Sequence, residues 1–184
     1  MESIIHDSLS HYLLSNNLLS DHQHGFIKSR STLTNLLSSL RHWLTSLDSG
    51  NSTDVLYIDF AKAFDSVSHS KLLHKLKSYN ILGKLYNWIA AWLTGRSQSV
   101  KIQNIFSSFK SVLSGILQGS VLGPLLFLVF INDLCDLIPP EAHPTFFADD
   151  LKLFSDETPI LSGFLPNHVS STLLQNALDI LLYW

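Results

Sequence analysis

The sequence predicts one domain of mixed helices and strands, in which a sheet is covered by helices. Three observations favour this class. Apolar residues recur at helical spacing in several segments, residues 55–60 form a mostly apolar run typical of a strand buried on both faces, and apolar stretches flank the acidic pair Asp149 and Asp150 as in a hairpin. A chain of 184 residues is long enough to bury one sizeable core.

Composition indicates a globular protein, because 46% of the residues are hydrophobic and 15% are charged. The single cysteine, Cys135, excludes an internal disulfide and favours a reducing compartment. The N-terminal residues lack the basic and apolar blocks of a signal peptide, and the most apolar run, residues 121–131, is too short to cross a membrane. We therefore expect an intracellular protein without a membrane partner; its oligomeric state stays open.

The net charge of −3 conceals an uneven distribution. Several acids lie near Asp59 and Asp149. Residues 66–132 contain no Asp or Glu and carry seven basic side chains, which are Lys71, Lys75, Lys77, Lys84, Arg96, Lys101 and Lys110. A basic segment beside an acidic pocket suits a metal-dependent enzyme that acts on a polyanion, and an ordinary solvated basic face explains the same charges equally well.

Two helices are predicted in the first 50 residues. The first covers residues 2–16, and after a break Gly25 permits an unusual backbone angle. Ser31 is placed to cap the second helix. We interpret His22 and His24 as loop or surface residues, because no third His or Cys has metal-site spacing. The second helix has an apolar face of six leucines, which are Leu33, Leu36, Leu37, Leu40, Leu44 and Leu47.

The predicted strand at residues 55–60 ends in a carboxylate. An Asp at the carboxyl end of a buried strand is well placed for chemistry. Capping of the next helix is the alternative role for Asp59 or for Asp65. Three further helices are predicted at residues 69–79, 82–93 and, after a loop at 159–166, from about His168 to Trp184.

A strand pair and a glycine loop are predicted in the middle of the chain. Residues 97–103 and 106–113 alternate polar and apolar side chains. A loop between Gly115 and Gly119 then enters an apolar helix, which we expect to be buried and to run to about Asp136. Backbone N–H groups at such a helix start suit an anionic ligand or a nucleotide, although many such turns bind nothing.

Asp149 and Asp150 stand at the predicted tip of a hairpin. Neighbouring side chains on a strand point to opposite faces, but at a tight turn both can crowd toward one spot. Two anions held that close repel unless a cation lies between them, and Asp oxygens with no His or Cys nearby suit Mg²⁺. A solvated turn is the simpler explanation for an isolated pair.

Segments across nearly the whole chain resemble the reverse transcriptases of non-LTR (LINE-like) retrotransposons. The matching segments are QHGF (23–26) through ST (31–32), YIDFAKAFDSVSH (57–69), GILQGSVLGP (115–124), INDL (131–134) and FADD (147–150). Several long motifs in the right order make the resemblance specific. It implies an α+β polymerase palm, a small antiparallel sheet backed by helices, in one domain of residues 1–184. Residues 1–53 would be partial fingers and residues 54–184 the palm.

The resemblance also implies RNA-directed DNA polymerase activity, in which nucleotidyl transfer extends a primer 3′-hydroxyl. Asp59, Asp149 and Asp150 would be catalytic and, with the backbone carbonyl of Phe60, would hold two Mg²⁺ ions, for which Mn²⁺ is a substitute. The implied partners are an RNA template, a DNA primer and deoxynucleoside triphosphates. The implied compartment is the nucleus or the cytoplasm.

Further residues acquire expected roles from the resemblance. Phe64 falls at the steric-gate position, with core packing as the alternative, and Lys62 faces either the triphosphate or solvent. We assign Asp65 to structure. The residues implied to contact the nucleotide are Phe60, Lys62, Ala63, Phe64, Gln118 and Gly119, and those implied to contact nucleic acid, or to lie in solvated surface segments, are Lys28, Arg30 and Arg96.

Departures from the family pattern keep other functions open. Leu117 stands where the family commonly has a Pro before the Gln, which loosens the glycine loop. The sequence lacks the upstream Arg-Pro segment of the fingers and the downstream primer grip and thumb, so we expect a domain incomplete at both ends. A catalytically inactive palm relic and a non-catalytic nucleic-acid-binding module are the alternatives.

Overall fold

The structure is a computed structural model that describes residues 1–157 and 169–184. The predicted loop at 159–166 and His168 lie outside the described residues. In chain order the elements are α1 (Glu2–Ser15), α2 (Thr32–Asp48), β1 (Ser52–Ile58), α3 (His69–Ser78), α4 (Gly83–Leu93), β2 (Ser97–Gln98), β3 (Lys101–Ile102), β4 (Ile105–Phe106), β5 (Lys110–Ser111), α5 (Gly123–Ile131), α6 (Leu134–Leu137), β6 (His143–Phe147), β7 (Asp150–Glu157) and α7 (Val169–Tyr183).

The chain divides into two compact units. The first unit comprises Met1–Leu18 and Lys62–Phe130, and the second comprises Leu19–Ala61 and Ile131–Trp184. The mixture of helices with a small antiparallel sheet confirms the predicted class. Of the helices in the described residues, none is long and apolar enough to cross a bilayer. The division into fingers and palm at residues 53 and 54 stays a prediction.

The core of the first unit includes α5. Residues 125–130 are all buried, which confirms the prediction of a buried apolar helix. The helix ends at Ile131, however, and the short α6 follows, so the prediction of one helix reaching Asp136 was wrong. The polar pair between the two helices explains the break. In the second unit Asn132 accepts a hydrogen bond from the backbone N–H of Ser20, and Asp133 accepts one from the indole of Trp184.

The predicted strand pair forms two short antiparallel ladders in the first unit. Strand β2 pairs with β5, and β3 pairs with β4. Each ladder is two residues long. Residues 100–110, which include β3, β4 and the first residue of β5, are all exposed.

The sheet of the second unit has the order β1-β7-β6, and both pairings are antiparallel. Strand β7 is central, and its residues Leu151, Leu153 and Phe154 are buried. Strand β1 lies at the edge, where Tyr57 is 67% exposed, so the prediction that this strand is buried on both faces was wrong. The local sequence was sufficient to predict this strand. Its position at the edge of the sheet depends on pairing with β7, which is about 90 residues further along the chain.

Helix α2 faces the sheet with its polar side. Ser31 caps the helix, as predicted, within a capping box completed by Thr34. Buried Asn35 donates a hydrogen bond to the carbonyl of Phe146, and buried Ser39 accepts one from Lys152. The six leucines do share one face, but that face is 47–64% exposed. Helical spacing correctly predicted that the leucines share one face of α2. The opposite, polar face packs on the sheet because its side chains form buried hydrogen bonds there.

Candidate active site

The carboxylates predicted to act together lie at one end of the sheet. Strand β1 ends at Ile58, which pairs with Leu151, so Asp59 follows at the end of the sheet where β6 turns into β7. Ala148 and Asp149 form that turn, and Asp150 begins β7. The structure therefore brings acids that are about ninety positions apart in the sequence to the same edge.

Asp59 and Asp150 line the same cleft, which has a volume of about 410 Å³. Both side chains are exposed, and Asp149 beside them is half-buried. The cleft walls also include Tyr57, Ile58, Leu36, Phe147 and Lys152. Burial lowers the pKa of Lys152, and the neighbouring Asp150 opposes this shift. The cleft thus combines carboxylates with apolar walls and one partly desolvated cation.

The turn that carries Asp149 is clamped by a buried glutamine. Ala148 has a left-handed backbone with φ of 56°. The Gln23 side chain accepts hydrogen bonds from the backbone N–H of Ala148 (2.9 Å) and of Gly25 (2.7 Å), and it donates one to the carbonyl of Ala148 (3.1 Å). Because both peptide groups of Ala148 are held, the direction in which the chain presents Asp149 is fixed.

The segment that contains Gln23 runs alongside β6. The His24 N–H donates to the carbonyl of Phe146, and the Phe146 N–H donates to the carbonyl of His22, each at 2.9 Å. Arg30 closes the loop by donating to the carbonyls of Ser20 and Gln23 and to Asp21, at 2.6 to 2.9 Å. The guanidinium of Arg30 therefore supports the loop that supports the turn.

Gly25 is required for a different reason from the predicted one. Its backbone does not have a positive φ, and the left-handed residue is its neighbour Phe26, with φ of 55°. A Cβ atom on Gly25 would lie 2.3 Å from the backbone nitrogen of Ala148. The close approach of two backbones, and not an unusual backbone angle, demands glycine at this position.

A second cleft, of about 720 Å³, lies within the first unit. Lys62, Arg96 and Gln118 line it. The Gln118 amide donates to the Asp65 carboxylate at 3.3 Å, and Ser114 donates to the Asp65 carbonyl at 3.0 Å. Asp65 therefore anchors the glycine loop from both ends, even though Leu117 replaces the family's Pro.

The remaining predicted site residues have varied surroundings. Phe64 is half-buried and stacks on Phe127, with ring centroids 4.1 Å apart. Ala63 is half-buried, and Gly119 has φ of 82° with nothing within 4 Å of its Cβ position. In the second unit the Phe60 ring lies 6.4 Å from that of Trp184.

The two other predicted nucleic-acid contacts differ in exposure. Lys28 is exposed. Arg96 is half-buried, its guanidinium carbon lies 5.3 Å from the centre of the Trp92 ring, and it donates to the Trp92 carbonyl at 3.3 Å.

Comparison with known proteins decides the family. A family model described as reverse transcriptase (RNA-dependent DNA polymerase) matches residues 1–181. The chain belongs to the reverse transcriptase family.

Curated relatives of this reverse transcriptase chain come from non-LTR retrotransposons, which confirms the resemblance. It is 32% identical, over 83% of its length, to the probable RNA-directed DNA polymerase from transposon BS of Drosophila melanogaster. It is 30% identical, over 88% of its length, to the RNA-directed DNA polymerase from mobile element jockey of Drosophila funebris. It is 27% identical, over 88% of its length, to a retrovirus-related Pol polyprotein from the type-1 retrotransposable element R2 of Popillia japonica. The chain spans 17%, 18% and 24% of these relatives.

Reverse transcriptases generally use divalent metal ions, and the donor atoms at the β6–β7 turn fit such ions. Asp59, Asp149 and Asp150 offer only carboxylate oxygens, which hard cations prefer. Within residues 1–157 and 169–184, the three ligands whose atoms all lie within 4.8 Å of one another are instead His42, His143 and Asp156. Mutual repulsion of three carboxylates opposes such close contact when no cation lies between them.

Sequence reasoning missed Gln23 and Asn35 as residues that support the turn at Asp149. Gln23 belongs to a segment that matches the family, but no role was assigned to it. Asn35 is one of several polar residues of α2, and nothing in the sequence distinguishes it from the others. Their importance comes from hydrogen bonds to Phe146 and Ala148, which are more than 100 positions away. A buried amide with paired backbone contacts is a signal that only the structure contains.

Two partly desolvated histidines, His24 and His143, lead us to expect that the folded chain loses stability in mild acid. Partial desolvation lowers the pKa of His24, and of His143 despite its exposure, below 6.5. As the pH falls below about 6.5, these histidines take up protons more readily in the unfolded chain than in the folded chain. The free energy of unfolding is therefore highest above about pH 6.5 and decreases below it. We expect the melting temperature in metal-free buffer to fall between pH 7.5 and 5.5, and to fall less in His143→Gln. An equal drop in both proteins would contradict this assignment.

Proposed function

We propose that this chain carries the polymerase chemistry of a non-LTR retroelement, adding deoxynucleotides to a DNA primer on an RNA template. The observation that supports this best is the shared cleft of Asp59 and Asp150, with Asp149 at the adjoining turn. Family membership alone would be compatible with an inactive domain. The presence of all three carboxylates, together with the Gln23 clamp, favours an intact site.

In this proposal Asp59, Asp149, Asp150 and the carbonyl of Phe60 hold two Mg²⁺ ions. When bound, the ions would lower the pKa of the primer 3′-hydroxyl and stabilise the leaving pyrophosphate. The task of the protein is to hold Asp59 and Asp150 in their shared cleft, with Asp149 at the adjoining turn, despite the repulsion between the carboxylates. The clamp on Ala148 performs that task from the side of the sheet that carries Asp149.

We assign contacts with the incoming nucleotide to residues of the first unit. Lys62 offers a positive charge to the triphosphate, and Gln118, oriented by Asp65, offers its amide. Open space around Gly119 allows a nucleotide to approach the backbone closely. Ala63 and Phe64 would border the sugar.

Charge supports a nucleic-acid partner. The first unit contains eight Lys or Arg residues against three Asp or Glu, a net charge of +5, whereas the second contains four against twelve, a net charge of −8. A concentration of basic residues in one unit favours binding of a polyanion. Arg96 would contact the template or primer from this unit, and Lys28 and Arg30 would do so from the second, where Arg30 acts mainly through the loop it holds.

Primer extension by the purified chain tests the proposal. A labelled DNA primer annealed to an RNA template is incubated with deoxynucleoside triphosphates and either Mg²⁺ or EDTA. The proposal predicts template-dependent extension with Mg²⁺ and none with EDTA. A folded chain that binds the hybrid but fails to extend it under any divalent ion would instead indicate an inactive palm or a binding module.

Phe64 provides a test of nucleotide selection. A bulky ring beneath the sugar would clash with a 2′-hydroxyl, so Phe64→Val is expected to raise ribonucleotide incorporation relative to deoxynucleotide incorporation by about tenfold or more. Single-nucleotide extension with each triphosphate measures this ratio. If the ring serves only to pack on Phe127, the variant would lose stability while the ratio stays unchanged.

A further inference from the structure

A second group of metal-binding side chains lies in the second unit, at the opposite end of the sheet from Asp149. His143 is the first residue of β6, and Asp156 is close to the end of β7. His42 reaches them from α2. The three residues come from three separate elements, and the proposed polymerase chemistry uses none of them.

The geometry of this group suits one ion. The His42 Nε2 atom lies 3.1 Å from Asp156 Oδ1, and one ligand atom from each residue lies within 4.8 Å of both others. In a tetrahedral zinc site with bonds of about 2.0–2.1 Å, ligand atoms are about 3.3 Å apart. The first pair, at 3.1 Å, is already close to this separation, and the exposed His143 would complete the site by bringing its ligand atom closer from within 4.8 Å.

The surrounding contacts hold two of the ligands in place. The His42 ring stacks on Phe154, with centroids 5.3 Å apart. Thr53 donates a hydrogen bond to Asp156 Oδ1 at 2.9 Å. A ligand whose orientation is set by a neighbouring group loses less entropy on binding a metal. The exposure of Asp156 and His143 leaves solvent access for a water molecule as the fourth ligand.

We propose that His42, His143 and Asp156 bind a Zn²⁺ ion that fastens α2 to the sheet. Two imidazoles and one carboxylate are the ligands that zinc and neighbouring transition metals prefer, in contrast to the oxygen-only set at Asp149. The ion replaces the hydrogen bond between His42 and Asp156 and adds His143 to the contact.

A bound ion at this site would stabilise the packing of α2 on the sheet. Helix α2 contacts the sheet through the buried polar groups of Asn35 and Ser39 and through the rings of His42 and Trp43 on Phe154, while its leucine face points to solvent. A metal link between this helix and both strands of the hairpin would stabilise the folded second unit, because the unfolded chain lacks the preformed site.

Cobalt and zinc titrations of the full chain test the proposal. After removal of metals, Co²⁺ is added while its visible d–d absorption is recorded, and Zn²⁺ is then used to displace it. We expect one tetrahedral Co²⁺ per chain, displacement by Zn²⁺ but not by millimolar Mg²⁺, and a zinc dissociation constant on the order of 1 µM, weaker than in four-ligand structural sites. Zinc should also raise the melting temperature.

His143→Ala is the decisive variant, because it leaves the bond between His42 and Asp156 in place. We expect it to bind zinc at least about tenfold more weakly and to lose the thermal shift. His11→Ala, at an exposed histidine outside the group, should behave as wild type. Equal zinc affinity in wild type and His143→Ala, or an octahedral Co²⁺ spectrum, would overturn the proposal. Neither readout depends on polymerase activity.

Discussion

Replacing Asp149 by alanine is expected to reduce primer extension on an RNA template by at least about 10³-fold. Asp149 occupies the turn between β6 and β7, next to the cleft that Asp59 and Asp150 line. Alanine removes a carboxylate that the proposed ions require and leaves the clamped backbone of Ala148 untouched. Single-turnover extension with saturating Mg²⁺ measures the loss in the chemical step.

A matched acid provides the control. Asp136→Asn removes an exposed carboxylate from α6 of the same unit and should keep full activity. Thermal melts of both variants establish that they are folded. Comparable extension by Asp149→Ala and the wild type would exclude Asp149 from catalysis.

Gly25→Ala is expected to destabilise the second unit by about 3 kcal/mol or more. The new methyl group would lie 2.3 Å from the Ala148 nitrogen and 2.9 Å from its Cα atom. Neither backbone can move away easily, because Gln23 bonds to both peptide groups of Ala148 and also to the Gly25 N–H. Urea unfolding measures the free-energy difference.

The same substitution elsewhere separates steric overlap from backbone effects. Gly50 has φ of 76° with nothing within 4 Å of its Cβ position, so Gly50→Ala should cost only about 1 kcal/mol. Activity adds a second comparison, since Gly25→Ala should displace Asp149 and reduce extension even where it is folded. A stability loss at Gly25 no larger than that at Gly50 would refute the close-approach explanation.

Local pattern was sufficient to predict the parts of the fold that depend on neighbouring residues. The capped start of α2 follows from Ser31, and the position of Asp59 follows from the apolar run before it. The turn at Asp149 follows from flanking apolar strands. In each case the physical cause lies within a few residues of the feature.

Long-range contacts decided what the sequence left undetermined. Helical spacing defines the leucine face of α2, but the bonds of Asn35 and Ser39 to the sheet determine which face is buried. The site of His42, His143 and Asp156 has no recognisable spacing, because its members come from three separate elements. The clamp by Gln23 likewise depends on pairing with residues far along the chain.

Mn²⁺ binding, followed through the EPR signal of the free ion, tests most directly whether Asp59 shares divalent ions with Asp149 and Asp150. The measurement uses His143→Ala as background, so that the second site does not contribute, and adds primer, template and a deoxynucleoside triphosphate. If the three carboxylates act together, Asp59→Asn weakens Mn²⁺ binding by at least about tenfold while Asp149 and Asp150 are intact. Unchanged Mn²⁺ affinity in Asp59→Asn would contradict a shared metal site.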